Sequence, residues 1–153
     1  MTHVRKQIRD RVVADLTGLT TTGGRIFDSR LFNFENAELP ALAVYCKNET
    51  SERDTMGSSS AQGLARTLIV QVEGYASAPS GSSLMENTLD TIAEEVETAL
   101  ANDWTLNSLA KDCFLSGTDI DFQGQDSDSM VGTMVMEWTV LYRTNTNAPG
   151  TAL

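Results

Sequence analysis

Residue types that commonly carry out catalysis are sparse in this sequence. His3 is the single histidine among 153 residues, and the two cysteines, Cys46 and Cys113, stand far apart in predicted strands. These residues cannot supply a histidine-based catalytic triad, an HExxH site or a Cys/His zinc site within one subunit. The phosphate-loop and nucleophile motifs GxGxxG, GxxxxGKS/T and GxSxG do not occur. We therefore predict no catalytic residue, no metal ligand and no cofactor.

An acidic stretch beginning at Asp119 offers one candidate for cation binding. Asp119, Asp121 and Gly124 match the first, third and sixth positions of an EF-hand loop. The twelfth position is Met130, where that loop needs a bidentate glutamate, and the flanking residues are typical of strands. An acidic hairpin tip is the simpler interpretation, and a small acidic metal-binding module is the alternative. The acidic residues concerned are Asp119, Asp121, Asp126 and Asp128.

The charge balance excludes one class of binding protein. Eleven Lys and Arg stand against 21 Asp and Glu, a formal net charge of −10. Proteins that grip phosphate backbones do so with Lys and Arg, so this chain is not expected to hold nucleic acid tightly. No run approaches the ~18 consecutive apolar residues of a membrane span, and the N-terminus leads into an amphipathic segment and not a secretory signal.

Two helices are predicted to position the charged residues. The first spans residues 3–16, with Thr2 as its N-cap and a stripe of apolar residues at every fourth position. The second spans residues 84–101, where Ser83 and Glu86 match a capping box. Four basic residues lie on the first helix, Arg5, Lys6, Arg9 and Arg11. An acidic ridge on the second helix, which has no Lys or Arg, consists of Glu86, Asp90, Glu94 and Glu97.

The acidic ridge has two interpretations. Like charges four residues apart on a helix are unfavourable by perhaps ~0.2–0.5 kcal/mol per pair, a cost that a solvated face tolerates. The alternative is that the ridge contacts the basic helix of a neighbouring copy. Such a contact joins different surfaces of the two copies, and contacts of that kind close into rings.

The remaining elements predict an α+β fold. Strands are expected over residues 25–29, 39–46, 64–76, 113–122 and 132–143, and residues 48–63 are expected to form a long polar hairpin loop. The order α-β-β-β-α-β-β favours a two-layer sandwich. Its sheet would be mostly antiparallel with four to five strands, and two main helices would cover one face. We expect one domain over residues 1–143 and a flexible tail over 144–153.

Several runs of residues together resemble a known family. The most recognisable is Glu-Leu-Pro-Ala-Leu-Ala-Val-Tyr at positions 38–45, which lies between the opening helix and the run Leu-Ile-Val-Gln-Val-Glu-Gly-Tyr at 68–75. The helix Leu84–Leu100 and the strand 137–142 follow in the same order. Over residues 3–143 the chain resembles the phage tail-terminator proteins, the minor tail protein U type of long-tailed phages.

The resemblance implies a structural protein of the virion and not an enzyme. Members of this type form a hexameric ring at the head-proximal end of the tail tube. The ring stops polymerisation of the tail tube protein and presents a surface to the head–tail connector or neck protein. DNA passes through it without specific binding, and assembly takes place in the host cytoplasm. Neither a cofactor nor a membrane is implied.

Within such a ring, three groups of residues are candidates for contacts. Arg5, Lys6 and Arg9 would meet the acidic ridge Glu86, Asp90, Glu94 and Glu97 of the next subunit. The polar loop would meet the tail tube through Asp54, Met56, Ser59 and Gln62. Asp119, Asp121, Asp126 and Asp128 would line the lumen. The alternatives are another neck or head–tail joining protein, the acidic metal-binding module and an enzyme that uses carboxylates alone.

Overall fold

The protein pairs a six-stranded sheet with two helices, and the α+β fold class is confirmed. The computed structural model describes residues 2–28, 39–54, 61–79, 83–124 and 129–153. The helices are α1 (Val4–Leu16) and α2 (Leu84–Asn102). The strands are β1 (Ile26–Phe27), β2 (Ala41–Arg53), β3 (Gly63–Pro79), β4 (Asp112–Gly124), β5 (Ser129–Asn145) and β6 (Ala148–Ala152).

The sheet is built around β3 and β5. Its order is β1-β2-β3-β5-β4, and β6 also pairs with β5. All pairings are antiparallel except that of β1 with β2. The central ladder runs from Gly63 opposite Asn145 to Pro79 opposite Ser129. In the described part of the chain β4 is an edge strand, so one side of its backbone ladder is open.

One face of the sheet packs against both helices and forms the core. Alternate residues of the two central strands point to the helices, as the period of two in a strand requires. They are Leu68, Val70 and Val72 of β3 and Met134, Met136, Trp138, Val140 and Tyr142 of β5. The helices contribute Val4, Ile8, Val12, Leu16, Met85, Leu89, Ile92, Val96 and Leu100. The helical stripes predicted from the sequence therefore face the core.

Both helix starts differ from the predicted capping. His3 and not Thr2 is the N-cap of α1, and its Nδ1 accepts from the backbone N–H of Arg5 at 3.0 Å. Ser83 precedes α2 in a helical conformation and its side chain makes no cap hydrogen bond. The predicted capping box with Glu86 does not form, because a capping hydroxyl needs an extended residue to reach back to the helix.

The hairpin of β2 and β3 extends well into the predicted loop 48–63. Arg53 still pairs with Leu64, although the side chains here are mostly polar. Because β3 also pairs with β5 along its whole length, its backbone groups are held from both sides whatever its side chains favour. Of the predicted loop, residues 55–60 lie outside the described part.

The C-terminal segment, expected as a flexible tail over 144–153, contains strand in the structure. Strand β5 continues to Asn145 and β6 returns along it. The side-chain amide of Gln7 donates to the carbonyl oxygen of Gly150 at 2.9 Å, which ties β6 to α1. Strand β6 is short and has no apolar periodicity, so the sequence pattern does not predict it. Its hydrogen bonds to β5 and to Gln7 of α1 hold it in place.

Candidate functional site

The acidic ridge of α2 forms a continuous exposed surface. Glu86, Asp90, Glu94 and Glu97 are all exposed. The buried residues of α2 are Met85, Leu89, Ile92, Val96 and Leu100, so the ridge is separate from the helix surface that packs on the core. In the described ranges none of the four carboxylates forms an ion pair with a basic side chain of the same chain. The ridge is therefore available to a partner with basic groups.

The basic residues of α1 are less available than the sequence suggests. Arg5 pairs with Glu49 at 3.3 Å, and Lys6 pairs with Asp10 at 2.6 Å one helical turn away. Arg9 makes no ion pair in the described part, and its Nε is buried without a hydrogen-bond partner. Among the three basic residues predicted to meet a neighbour, Arg9 alone keeps its charge uncompensated by a salt bridge.

A buried cluster around Glu49 was not predicted from the sequence. The carboxylate of Glu49 accepts from Arg66 at 2.9 Å and also from the hydroxyl of Tyr142. The pKa of Tyr142 is raised, first by burial and then by its hydrogen bond to Glu49. A bulge between Cys46 and Asn48 shifts the register of β2 and turns Glu49 to the helix side. No sequence signal marks this bulge.

The face of the sheet away from the helices carries a second polar network. Tyr45 donates to Glu73 at 2.6 Å, and Gln71 donates to Glu137 at 2.9 Å, which also pairs with Lys47 at 2.8 Å. Glu73 and Gln71 are 7% exposed. The strand alternation predicts which face these residues share, but their hydrogen bonds depend on the register between strands.

Two of the four predicted lumen carboxylates belong to this helix-free face. Asp119 and Asp121 are exposed on β4 and pair with Val135 and Thr133 of β5. Asp126 and Asp128 lie outside the described residues. Residues 119–124 form extended strand, so the turn that an EF-hand loop needs at its glycine is not made there. No group of three or more potential metal ligands occurs within the described ranges.

The predicted tail-tube loop is described only at its two ends. Asp54 forms an ion pair with Arg143 of β5. The carbonyl oxygen of Gln62 accepts from the backbone N–H of Thr146 at 2.7 Å. Met56 and Ser59 lie outside the described residues. The ends of the loop are therefore fixed to the sheet.

The comparison with protein families identifies the class of protein to which this chain belongs. The model of the family described as phage minor tail protein U matches residues 3–142. The chain belongs to this family. It is a structural tail protein of the virion, in agreement with the family predicted from the sequence.

No curated protein matches the chain. A chain in the virion of a native gene transfer agent particle is similar, with 12% identity, 91% of this chain and 92% of that chain covered, and a TM-score of 0.35. In the described part of this minor tail protein U family member, neither helix is both long and apolar enough to cross a membrane.

Exposed apolar side chains lie at both ends of α2, and the sequence analysis did not predict them. Ile120 and Phe122 of β4 line a groove beside the first turns of α2, and they are 48% and 39% exposed. Trp104, just beyond the other end of α2, is 52% exposed. Alternation along β4 assigns faces to Ile120 and Phe122, but only the edge position of the strand exposes them.

Proposed function

We propose that this protein forms a ring on the head-proximal end of the tail tube, where it stops polymerisation and presents a surface to the neck protein. Membership of the minor tail protein U family over residues 3–142 carries the proposal. The acidic ridge, which has no ion-pair partner among the residues that the structure describes, supports it, because a ring needs a surface left for a neighbour. The ring would hold six copies, as the family resemblance implies.

The direct test adds the purified protein to polymerising tail tube protein. We expect the tubes to stop growing and to carry an additional ring at one end in electron micrographs. Tubes assembled with an equal amount of an unrelated acidic protein serve as the control. Tube lengths that do not respond to the protein would contradict the proposed function.

We place the acidic ridge at the subunit contact and assign Arg9 of the neighbour as one of its basic partners. Arg5 and Lys6 are already engaged in ion pairs, so they contribute less to this contact than the sequence suggests. Arg9→Glu is expected to weaken ring formation while the circular dichroism spectrum stays the same. Light scattering that shows the Arg9→Glu variant assembling like the wild type would remove Arg9 from the contact.

We assign the contact with the tail tube to the loop between β2 and β3, including Asp54, Met56, Ser59 and Gln62. Its ends are fixed by Asp54 and Gln62, so the intervening residues can be shortened without disturbing the ladder. A variant with a tight turn in place of residues 55–61 is expected to fold and to lose tail capping. Tails of normal length in a phage carrying only this variant would rule out the role.

We assign the lumen to the helix-free face that carries Asp119 and Asp121, and we include Asp126 and Asp128 in this assignment from the sequence alone. An acidic wall repels phosphates, so DNA would pass without being held. Replacement of these four aspartates by lysine is expected to slow DNA ejection in phages that assemble full-length tails. Unchanged ejection kinetics, with the ring in place, would remove this hairpin from the channel.

A further inference from the structure

Trp104 stands on a strained turn between α2 and β4. Leu106, Asn107 and Ser108 have φ values of 48°, 56° and 66°. Consecutive non-glycine residues in the left-handed region are unfavourable and persist only where the surrounding structure holds them. Leu106 is fully buried and anchors the turn, while Trp104 is 52% exposed. The turn therefore presents a large aromatic side chain on a constrained backbone.

Several hydrogen bonds hold the turn over residues 103–111, which we call the Trp104 corner. The carbonyl oxygen of Asp103 accepts a hydrogen bond from the backbone N–H of Leu106 at 2.8 Å. The Oδ1 atom of Asp103 accepts one from the backbone N–H of Asn107 at 3.0 Å. The Oδ2 atom of Asp103 accepts from Arg11 of α1 at 2.7 Å. Because the backbone of this turn is already held, ordering it on binding costs little, and tryptophan is enriched among the residues that dominate interface energies.

A lysine with a free charge lies at the same corner. The backbone N–H of Ala110 donates to the carbonyl oxygen of Thr105 at 2.9 Å, so the turn closes between the residue that follows Trp104 and the residue that precedes Lys111. Lys111 is exposed and has no ion-pair partner in the ranges that the structure describes. The corner thus offers one aromatic ring and one positive charge.

The opposite end of α2 offers the complementary surface. A groove of about 250 Å³ lies between α2 and β4, with Leu89, Ile120 and Phe122 as its apolar lining and Glu86 and Asp90 as its acidic rim. Pockets for small ligands commonly measure about 300–1,000 Å³, so this groove is of a size for one large side chain.

We propose that Trp104 of one copy inserts into the groove of the neighbouring copy, with Lys111 against Glu86 and Asp90. The inference rests on the ring proposed above and names its contact. The 19 residues of α2 span roughly 28 Å, so the corner and the groove of one chain cannot meet each other. Each copy uses its corner on one neighbour and its groove on the other, and contacts of this kind close into rings.

The acidic rim argues for a second copy of this chain as the occupant. A partner must bring an apolar side chain together with a positive charge, and the Trp104 corner has both. Exposed Arg53, which also lacks an ion-pair partner in the described part, differs from Lys111 in that neither of its chain neighbours, Glu52 and Asp54, is aromatic or apolar. Of these two basic sites, the Trp104 corner complements the groove.

The first experiment measures self-association by sedimentation over a range of protein concentrations. Trp104→Ala is expected to raise the concentration needed for association by about 30-fold or more, as loss of a dominant interface residue does. Phe114→Ala is the matched control, because Phe114 is 44% exposed on the helix-free face of β4. Equal losses in both variants, association unchanged by Trp104→Ala, or a wild type that remains monomeric would each overturn the contact.

The second experiment exchanges charges between two chains. Asp90→Lys and Lys111→Glu should each weaken association, because each places like charges at every contact. An equimolar mixture should recover association, since an alternating ring pairs opposite charges at every contact. Lys111→Glu mixed with the double variant Lys111→Glu/Arg53→Glu is the control and should not recover, because like charges remain at every contact. A mixture no better than its components would overturn the pairing, and recovery that stops at a dimer would overturn the head-to-tail arrangement.

Tail capping by the same variants separates this contact from the proposed function. Trp104→Ala that still forms rings and caps tubes would overturn the contact and leave the terminator function intact. Trp104→Ala that forms rings but no longer binds tubes or the neck protein would assign the corner to that other partner. A wild type that associates through Trp104 but never caps tubes would support the contact and contradict the function.

Discussion

At the scale of single residues, Asp15 is a carboxylate held in an unfavourable charged state. Burial, followed by its hydrogen bond to Asp103, raises the pKa of Asp15 to about 6 from an ordinary value of 3.8. Because the folded state binds this proton more tightly than the unfolded state, the group contributes stability below about pH 4 that is lost as the pH rises to 6. We expect Asp15→Asn to increase the free energy of unfolding at pH 7.5 and to have little effect at pH 4.

Urea unfolding of both proteins at several pH values measures this difference. Asp10→Asn replaces an exposed aspartate of the same helix and is the matched control. A benefit of Asp15→Asn that is equal at all pH values would show that the gain has another source than the proton on this carboxylate.

Glu49 is expected to be the most important single acidic residue for stability. It joins Arg66 and Tyr142 in a cluster where the side chains of Glu49 and Arg66 are 8% and 11% exposed. Glu49→Gln removes the charge and should lower the free energy of unfolding by about 1.5–3 kcal/mol, the range for hydrogen bonds to charged groups. Glu52→Gln, at an exposed position of the same strand, should change it by less than about 0.5 kcal/mol. Equal effects in urea unfolding would contradict the role of the cluster.

At the scale of elements, a glycine sets the distance between α2 and the sheet. A Cβ at Gly132 of β5 would lie 2.3 Å from Sδ of Met85 and 3.1 Å from Cδ1 of Leu89. Gly132→Val is therefore expected to displace the first turns of α2 and to cost about 1–3 kcal/mol, as overpacking does. Gly117→Val is the control, because a Cβ there meets nothing within 4 Å. Thermal unfolding midpoints measure both, and a midpoint unchanged by Gly132→Val would show that the spacing is adaptable.

At the scale of the whole molecule, net charge opposes the assembly of identical copies. Each chain carries a formal charge of −10, and similar surfaces must approach one another in a ring. Raising ionic strength from 0.01 M to 0.15 M shortens the screening length from about 30 Å to about 8 Å. We expect association to strengthen over this range, because salt screens the long-range repulsion while the apolar contact is little affected. Association that weakens steadily with salt would show that ion pairs dominate the contact.

The sequence alone determined the family, the fold class and the stripes that face the core. These depend on local spacing: Val4 to Leu16 repeat with the period of a helix, and Leu68 to Val72 alternate with the period of a strand. The acidic ridge of α2 follows from the same helical spacing. Each of these features is fixed by residues close together in the chain, so no knowledge of distant partners is needed.

Tertiary structure decided what each charged or exposed residue contacts. Arg5 is engaged because a bulge in β2 turns Glu49 toward it, and β6 forms because β5 and Gln7 of α1 provide its hydrogen bonds. Trp104 is exposed because a left-handed turn anchored by buried Leu106 holds it outside the core. These outcomes depend on register and packing between segments distant in sequence, which periodicity within one segment does not encode.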